Sequence, residues 1–304
     1  MTFKHNIDLS PFKHLYPFKS NYMEVNGFQY HYVDEGAGDP VVMLHGNPTW
    51  SFYYREVIKA FSNSLRMIAP DHIGCGLSEK PGPGRYPYTL KNRIDDLTVF
   101  LENLDIHQKI TLVVHDWGGM IGMAYAIENI DKIKNIVVLN TAAFLPPGEK
   151  KIPFRLWVIR HLTWLATPAV LGLNLFSRGA AYMASSKGLG NDVRKGLTAP
   201  YNTWQNRIAT LRFVQDIPLF PKDDAFSIVN HADLHLERLG KIPMLILWGE
   251  KDFVFDMDYF DEWRRRFPYA ETHTFAHAGH YVLEDEPEAV IDKIGLFLTL
   301  NREA

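Results

Sequence analysis

The sequence predicts an α/β fold built on a mostly parallel central sheet, into which a helical segment is inserted. Short apolar runs alternate with helical patterns over residues 1–143, the alternation stops over residues 144–235, and it resumes over residues 236–304. Wholly apolar strands are typical of a sheet that is covered on both faces. We therefore expect residues 1–143 and 236–304 to form one core, and residues 144–235 to form a helical cap, or lid.

The first core segment shows alternating strand and helix patterns. An alternating apolar and polar pattern predicts its first strand, and short apolar runs predict the others. The expected strands are 28–33, 41–44, 67–70, 110–114 and 135–140. The expected helices are 54–63, 93–104 and 120–129.

Prolines divide the inserted segment into short helical stretches. They are Pro146, Pro147, Pro153, Pro168, Pro200, Pro218 and Pro221. The α/β pattern then resumes with strands at 243–249 and 271–275, and an amphipathic helix at 287–300 closes the chain. The core sheet is thus expected to be completed after the insertion.

Composition excludes several classes of protein. The net charge of the 304 residues is −3, and charged residues of both signs are spread along the chain. No clustered basic face for nucleic acid is therefore expected. The single cysteine, Cys75, excludes an internal disulfide and is expected to be a packing residue, because no catalytic motif surrounds it. The first residues lack a signal-peptide pattern, and no apolar run reaches about 18 residues. We expect a cytoplasmic protein without a transmembrane segment.

Asp116 occupies the most informative position in the sequence. It lies at a sharp turn between a buried strand and a helix, followed by Gly118 and Gly119. This is the layout of a nucleophile elbow, with a carboxylate as the nucleophile. A carboxylate is ionised at neutral pH, and the N-terminus of the following helix should help to keep it so. It suits attack on an sp³ carbon, although an aspartate that merely caps the helix is the simpler structural alternative.

Three further polar residues follow predicted strand ends. They are Asn47, Asp252 and His280, and parallel strands present their carboxyl ends at one edge of a sheet. We therefore expect all three to converge on Asp116. His280 is the expected base, and Asp252 is expected to orient its imidazole ring and stabilise the cation.

Alternatives exist for both of these roles. His277 lies in the same loop as His280 and is expected to be a loop residue. The preceding core strand offers no acid before Glu149, so Asp252 is preferred as the orienting acid. Asp256 and Asp258 are expected to be solvated turn residues. No histidine pair has ligand spacing with an acidic partner, so neither a metal site nor a cofactor is expected.

Asn47 and Trp117 are the expected leaving-group donors. Each carries a side-chain N–H, and each adjoins the reacting centre. Together they could hold a halide or a departing carboxylate oxygen, and their backbone N–H groups could form an oxyanion hole for ester hydrolysis. The structural alternatives are a turn residue for Asn47 and core packing for Trp117.

The insertion is rich in large apolar side chains, which predicts an apolar tunnel for alkyl chains. Simple packing of the cap on the sheet explains part of this composition. A membrane contact by residues 155–176 is less expected, because a proline and scattered charges interrupt any amphipathic face. The large side chains are Phe154, Trp157, Trp164, Leu171, Leu175, Phe176, Tyr182, Tyr201, Trp204 and Phe213.

The catalytic motifs resemble those of the haloalkane dehalogenases in the α/β-hydrolase superfamily. The matching segments are 45–48, 115–119, 248–252 and 279–280. Val114 replaces the first glycine of the usual elbow motif, a departure that dehalogenases share. The resemblance implies an α/β-hydrolase fold with an inserted cap and a reaction that passes through an alkyl ester of Asp116.

Further segments, several of them in the insertion, resemble the β-lactone decarboxylases of bacterial long-chain olefin synthesis. These segments are 116–122, 140–144, 199–204, 206–213, 215–218 and 280–285. The resemblance implies conversion of a cis-3-alkyl-4-alkyloxetan-2-one to a cis-olefin and CO2. It also implies a hydrophobic substrate with long alkyl chains and makes assembly with other enzymes of olefin synthesis an expectation.

Other functions stay open at this point. A haloalkane dehalogenase would use the same residues to release halide, with His280 activating water for ester hydrolysis. An epoxide hydrolase would need a tyrosine from the insertion, and Tyr182 and Tyr201 are the candidates. A non-catalytic binding protein of the same fold would be expected to lack at least one catalytic position, and all are present.

Overall fold

In the computed structural model, residues 7–148 and 150–301 are described, and they contain one eight-stranded sheet. The strand order is β1-β2-β4-β3-β5-β6-β7-β8. The strands β1 and β2 and the pair β2 and β4 are antiparallel, and all other neighbours are parallel. The strands are β1 Asn21–Val25, β2 Phe28–Glu35, β3 Pro40–Leu44, β4 Arg66–Pro70, β5 Ile110–His115, β6 Ile133–Leu139, β7 Met244–Gly249 and β8 Glu271–Phe275.

Helices flank the sheet and also fill the segment between β6 and β7. The core helices are α1 Arg55–Phe61, α2 Leu90–Asn103 and α3 Trp117–Glu128. The segment between β6 and β7 contains α4 Phe154–His161, α5 Thr163–Thr167, α6 Leu175–Met183, α7 Asn191–Thr198, α8 Ile208–Gln215 and α9 Asp224–His235. The chain continues through α10 Met257–Arg266, α11 Val282–Asp285 and α12 Pro287–Leu300.

These elements confirm the predicted mostly parallel α/β sheet, with differences at β1 and at the starts of α2 and α3, the last of which begins at Trp117 rather than at residue 120. Strand β1 was not predicted, although Asn26 and Gly27 form its turn to β2 with φ values of 50° and 82°. An Asn-Gly pair is the common signal for such a hairpin turn. Helix α2 begins at Leu90, three residues earlier than expected, because the Thr89 side chain accepts a hydrogen bond from the Asn92 N–H.

Apolar side chains pack on both faces of the sheet. Successive residues of a strand point to opposite faces, so one wholly buried strand contributes to two core layers. In β5, Leu112 and Val114 lie in one cluster, and Val113 lies in the other. In the part of the chain that is described, no helix combines the length and the apolarity needed to span a membrane.

Helix α3 lies very close to the backbone of β3. A Cβ atom at Gly118 would overlap the Leu44 carbonyl group, which is backbone and cannot turn aside. Glycine is therefore required here by close approach, and the N-terminus of α3 is fixed against the end of β3.

We expect Gly118→Ala to lower the free energy of unfolding by roughly 1–3 kcal/mol, because the added methyl group overpacks this contact. Denaturant or thermal unfolding measures the change. Gly84→Ala is the matched control, since a Cβ atom there meets nothing within 4 Å. Equal stability of the two variants would contradict the close packing described for α3.

Candidate active site

The carboxyl ends of the parallel strands bring the predicted residues together. Asp116 follows β5, Asn47 lies in the loop after β3, Asp252 in the loop after β7, and His280 in the loop after β8. The Asn47 backbone N–H donates to Asp116 Oδ2 at 2.6 Å, and His280 Nδ1 lies 2.8 Å from Asp252 Oδ2. Asn47, Asp116, Trp117 and His280 line one cavity, and Asp252 is buried behind His280. The predicted convergence of these residues is therefore found.

Asp116 lies on a constrained turn. Its φ of 50° is in the left-handed region, which is unusual for a residue other than glycine. Its backbone N–H donates to the Asn140 carbonyl group at 3.2 Å, and its own carbonyl group accepts from Thr141 Oγ1. A Cβ atom at Gly119 would collide with the Thr141 side chain. Packing on both sides thus holds the turn in its strained conformation.

Burial dominates the electrostatics of Asp116. Burial raises its pKa to about 6, while His280 and the backbone N–H groups of Asn47 and Trp117 act in the opposite direction. The expected help from the N-terminus of the helix is present through the Trp117 N–H, but burial outweighs it. The carboxylate is still mostly ionised at pH 7. It is a stronger base than an exposed aspartate, because its charged form is less well solvated.

Asp252 is held on both of its oxygens. Oδ1 accepts from the backbone N–H groups of Val254 at 2.7 Å and Phe255 at 3.1 Å. Oδ2 faces His280. Burial by itself lowers the pKa of His280, but the nearby charges of Asp252 and Asp116 reverse this effect and raise it. Because Nδ1 faces Asp252, Nε2 is the ring nitrogen that remains for chemistry in the cavity.

Asn140, just after β6, is a site residue that was not predicted. Its side-chain N–H donates to Asp252 Oδ2 at 3.0 Å and to the Gly249 carbonyl group at 3.1 Å. Its Oδ1 accepts from the Gly249 N–H at 2.8 Å. The Asn140 amide therefore connects the end of β6 to Asp252. It lies at the alternative position for the orienting acid, where this sequence has no carboxylate. Glu149, the other candidate acid, lies outside the described residues.

Asn47 and Trp117 both line the cavity that Asp116 lines. The Asn47 side-chain amide donates to the Thr210 carbonyl group of α8 at 3.0 Å, which leaves its second N–H for a ligand. The Trp117 ring packs against Phe213, with 5.2 Å between the ring centroids. The Asn47 backbone N–H, expected in an oxyanion hole, holds Asp116 Oδ2 in this structure.

The remaining candidate histidines have structural contacts. His45 Nε2 accepts from the His72 backbone N–H at 3.1 Å, and His115 Nε2 lies 2.9 Å from the His280 carbonyl oxygen. His277 is exposed, as expected of a loop residue. Over residues 7–148 and 150–301, no group of three or more His, Cys, Asp and Glu side chains is arranged to hold a metal ion.

Cys75 is buried, and burial raises the pKa of its thiol to about 11. The thiol is therefore protonated at neutral pH. This agrees with the expectation that Cys75 is a packing residue rather than a nucleophile.

The cavity above Asp116 has a volume of about 450 Å³ and is lined mainly by apolar side chains. The segment between β6 and β7 supplies most of them, including Phe154, Leu175 and Phe176 from the expected set. An apolar space of this kind suits alkyl chains. The cavity-lining residues of that segment are Phe144, Pro146, Ile152, Pro153, Phe154, Arg155, Leu156, Val158, Ile159, Ala169, Val170, Leu175, Phe176, Ala180, Met183, Ala184, Val214, Ile217 and Pro218.

The two tyrosines considered for epoxide chemistry lie elsewhere. Tyr182 is 67% exposed on the surface, and Tyr201 is buried with its hydroxyl group 3.4 Å from the Thr49 carbonyl oxygen. Neither lines the cavity. Neither candidate is therefore placed to protonate an epoxide bound in this cavity.

Comparison with known proteins identifies the relatives of this chain. The family model for the α/β hydrolase fold matches residues 39–287, which confirms the predicted fold. A cis-3-alkyl-4-alkyloxetan-2-one decarboxylase of Shewanella oneidensis is 50% identical, over 94% of this chain and 90% of that protein. The protein of the same name in Xanthomonas campestris is 42% identical, over 94% of this chain and 98% of its own.

Haloalkane dehalogenases are more distant relatives. Haloalkane dehalogenase 2 of Mycobacterium tuberculosis is 30% identical, over 95% of this chain and 100% of that protein. The crystal structure of a haloalkane dehalogenase of Agrobacterium tumefaciens superposes with a TM-score of 0.81 at 24% identity, covering 93% of this chain and 97% of that one. At that identity the structural match is evidence for the fold alone.

We expect the Asp116 carboxyl group to titrate near pH 6 rather than at its ordinary value of 3.8, because it is buried. Below this pH it is neutral and cannot attack carbon, so any reaction that needs the carboxylate slows as the pH falls through 6. Carbon-13 NMR of labelled aspartate carboxyl groups measures the titration, with Asp116→Asn to assign the signal. A midpoint near pH 4 would contradict the dominance of burial.

Proposed function

Because the chain belongs to the α/β-hydrolase fold family and, within it, to the family of the cis-3-alkyl-4-alkyloxetan-2-one decarboxylases, we propose that it converts such a β-lactone to a cis-olefin and CO2. One observation carries this proposal. Asp116, the proposed nucleophile, lines an apolar cavity together with the two proposed leaving-group donors, Asn47 and Trp117. The 50% identical relative bears the name of the same reaction.

The first step is attack on the ring carbon that bears oxygen. Asp116 Oδ2 is held by the Asn47 backbone N–H, so Oδ1 is the oxygen that forms the new bond to carbon. The ring C–O bond breaks, and its electron pair stays on the released carboxylate of the substrate. The side-chain N–H groups of Asn47 and Trp117 donate to this carboxylate as its charge develops.

The second step is loss of CO2. The bond between the carboxylate carbon and the alkyl chain breaks, and its electron pair forms the carbon–carbon double bond. The C–O bond to Asp116 breaks at the same time, so the carboxylate of Asp116 is regenerated. Neither water nor a proton is consumed. Inversion in the first step followed by anti departure in the second gives the cis-olefin from the cis-lactone.

His280 has an electrostatic role in this reaction. Burial lowers the pKa of His280, but Asp252 and Asp116 together raise it above its ordinary value, which favours the imidazolium form over the neutral ring. A cation at this position stabilises the negative charge that passes from Asp116 to the substrate carboxylate and back. His280 and Asp252 then act without deprotonating water. This differs from the sequence-based expectation that His280 is a base.

The proposal also assigns the parts of the chain. Residues 1–143 and 236–304 form the catalytic core, and residues 144–235 form a cap that encloses the alkyl chains. The cytoplasmic location, the absence of a cofactor and the assembly with other enzymes of olefin synthesis stay predictions.

Haloalkane dehalogenation is the second candidate, favoured by the same two donors. Asn47 and Trp117 line the same cavity as Asp116, and their N–H groups would suit a halide ion equally well. In that reaction His280 would activate water to hydrolyse the ester on Asp116. Epoxide hydrolysis lacks a comparable observation, because Tyr182 and Tyr201 do not line the cavity.

Incubation with a dialkyl cis-β-lactone, 1-bromoalkanes and 1-iodoalkanes, and an aliphatic epoxide separates these functions. We expect olefin from the lactone, with little halide and no diol.

Asp116→Ala should lower olefin formation by roughly 10⁴-fold or more, because the nucleophile is lost. Asp131→Ala, at an exposed aspartate remote from the cavity, is the control and should keep full activity. Rapid halide release without olefin would reject the decarboxylase proposal, and an active Asp116→Ala variant would reject the site.

A further inference from the structure

Exposed apolar side chains are concentrated in one segment of the chain, which also contributes to the opening of the cavity. Of the fifteen large apolar residues that are exposed in the described chain, eight lie between positions 154 and 183. Phe154 is 75% exposed and Leu175 is 54% exposed, yet both also line the cavity, so they stand at its opening. Exposed apolar surface of this density marks an interaction site.

This surface is assembled from several short helices. Phe154 and Trp157 of α4 stack with 6.1 Å between their ring centroids, and the Arg155 side chain reaches Met183 of α6. Trp164 of α5 is 76% exposed. We call these helices and the turn between them, residues 154–183, the mouth face. Prolines interrupt any single amphipathic helix in this segment. An amphipathic face forms nevertheless, because it is built from several short helices.

The charge of the mouth face is positive. The sequence contains no Asp or Glu from position 150 to 191, although the whole chain has a net charge of −3. Lys151, beside the face, and Arg155 and Arg178 within it are exposed. None of the three forms an ion pair with another described residue, whereas Arg160 pairs with Asp223. Unpaired cations beside exposed aromatic residues suit an anionic surface.

We propose that the mouth face docks on an anionic lipid bilayer. Tryptophan, phenylalanine and leucine enter the boundary between headgroups and acyl chains, while lysine and arginine contact anionic headgroups. The cavity then opens directly toward the hydrocarbon phase. If the proposed function holds, a lactone with two alkyl chains enters from the membrane without crossing water.

A lipid surface fits this face better than a folded partner protein does. Phe154, Leu175 and Met183 are exposed and at the same time line the cavity, so a rigid partner seated on them would block its opening. A fluid bilayer covers the same residues and still admits substrate. The positive charge adds a preference for anionic lipid.

Vesicle flotation of the full chain without substrate tests the proposal independently of catalysis. Vesicles of phosphatidylcholine alone are compared with vesicles that also contain phosphatidylglycerol. We expect flotation with the mixed vesicles, weakened by high salt. The proposal would be overturned if the protein floated with vesicles of neither composition. It would also be overturned if the protein formed a dimer that covers the mouth face.

Two pairs of variants localise the contact. Trp164→Ser should weaken flotation strongly, and Arg178→Glu should weaken it about tenfold. Tyr269→Ser and Lys132→Glu are the matched controls, since both residues are exposed. Tyr269 lies two residues before β8 and Lys132 directly precedes β6, at the sheet edge opposite the cavity. None of the four residues lines the cavity, so decarboxylation of a detergent-dispersed lactone should be unchanged. If the variants and the controls lost flotation equally, the mouth face would not be the site of membrane contact.

Discussion

The hydrogen bond from the Asn47 backbone N–H to Asp116 Oδ2 connects the loop after β3 to the turn after β5. Leu44 of β3 pairs with Val114 of β5, so the loops that follow these two strands leave the sheet side by side. A Cβ atom at Gly46 would collide with the Asp116 side chain, and glycine is required there by close approach. Asp116 Oδ2 is therefore fixed by the backbone of the loop after β3.

This hydrogen bond depends on a turn that an isolated chain would not adopt. The left-handed conformation of Asp116 is unfavourable for aspartate by itself, and neighbouring strands maintain it through Asn140 and Thr141. Asn140 also reaches Asp252, so a single residue after β6 supports both Asp116 and Asp252. Burial then raises the pKa of Asp116, and the charge of His280 limits that rise. Conformation and electrostatics at Asp116 thus have the same origin, the packing of loops at one edge of the sheet.

The sequence was sufficient to predict the parallel sheet and the convergence of four polar residues, because strand ends can be located from apolar runs. It was insufficient for the role of Asn140. The segment 140–144 resembles the decarboxylases, but the contacts of the Asn140 side chain depend on the end of β7 and the loop after it, about a hundred residues later in the chain. The same limit applies to the mouth face. Phe154 and Leu175 belong to different helices, α4 and α6, and only the packing of short helices brings both to the opening of the cavity. The pKa of Asp116 likewise depends on burial, which no local pattern reveals.

The central claim is that Asp116 attacks carbon and departs as the olefin forms, so that water never enters the reaction. Turnover of a cis-β-lactone in water labelled with oxygen-18, followed by mass spectrometry of the peptide that contains Asp116, tests it directly. The account predicts olefin formation with no oxygen-18 in the Asp116 carboxyl group after many turnovers. Incorporation of the label into that group would show that water hydrolyses an ester on Asp116 and would contradict the account.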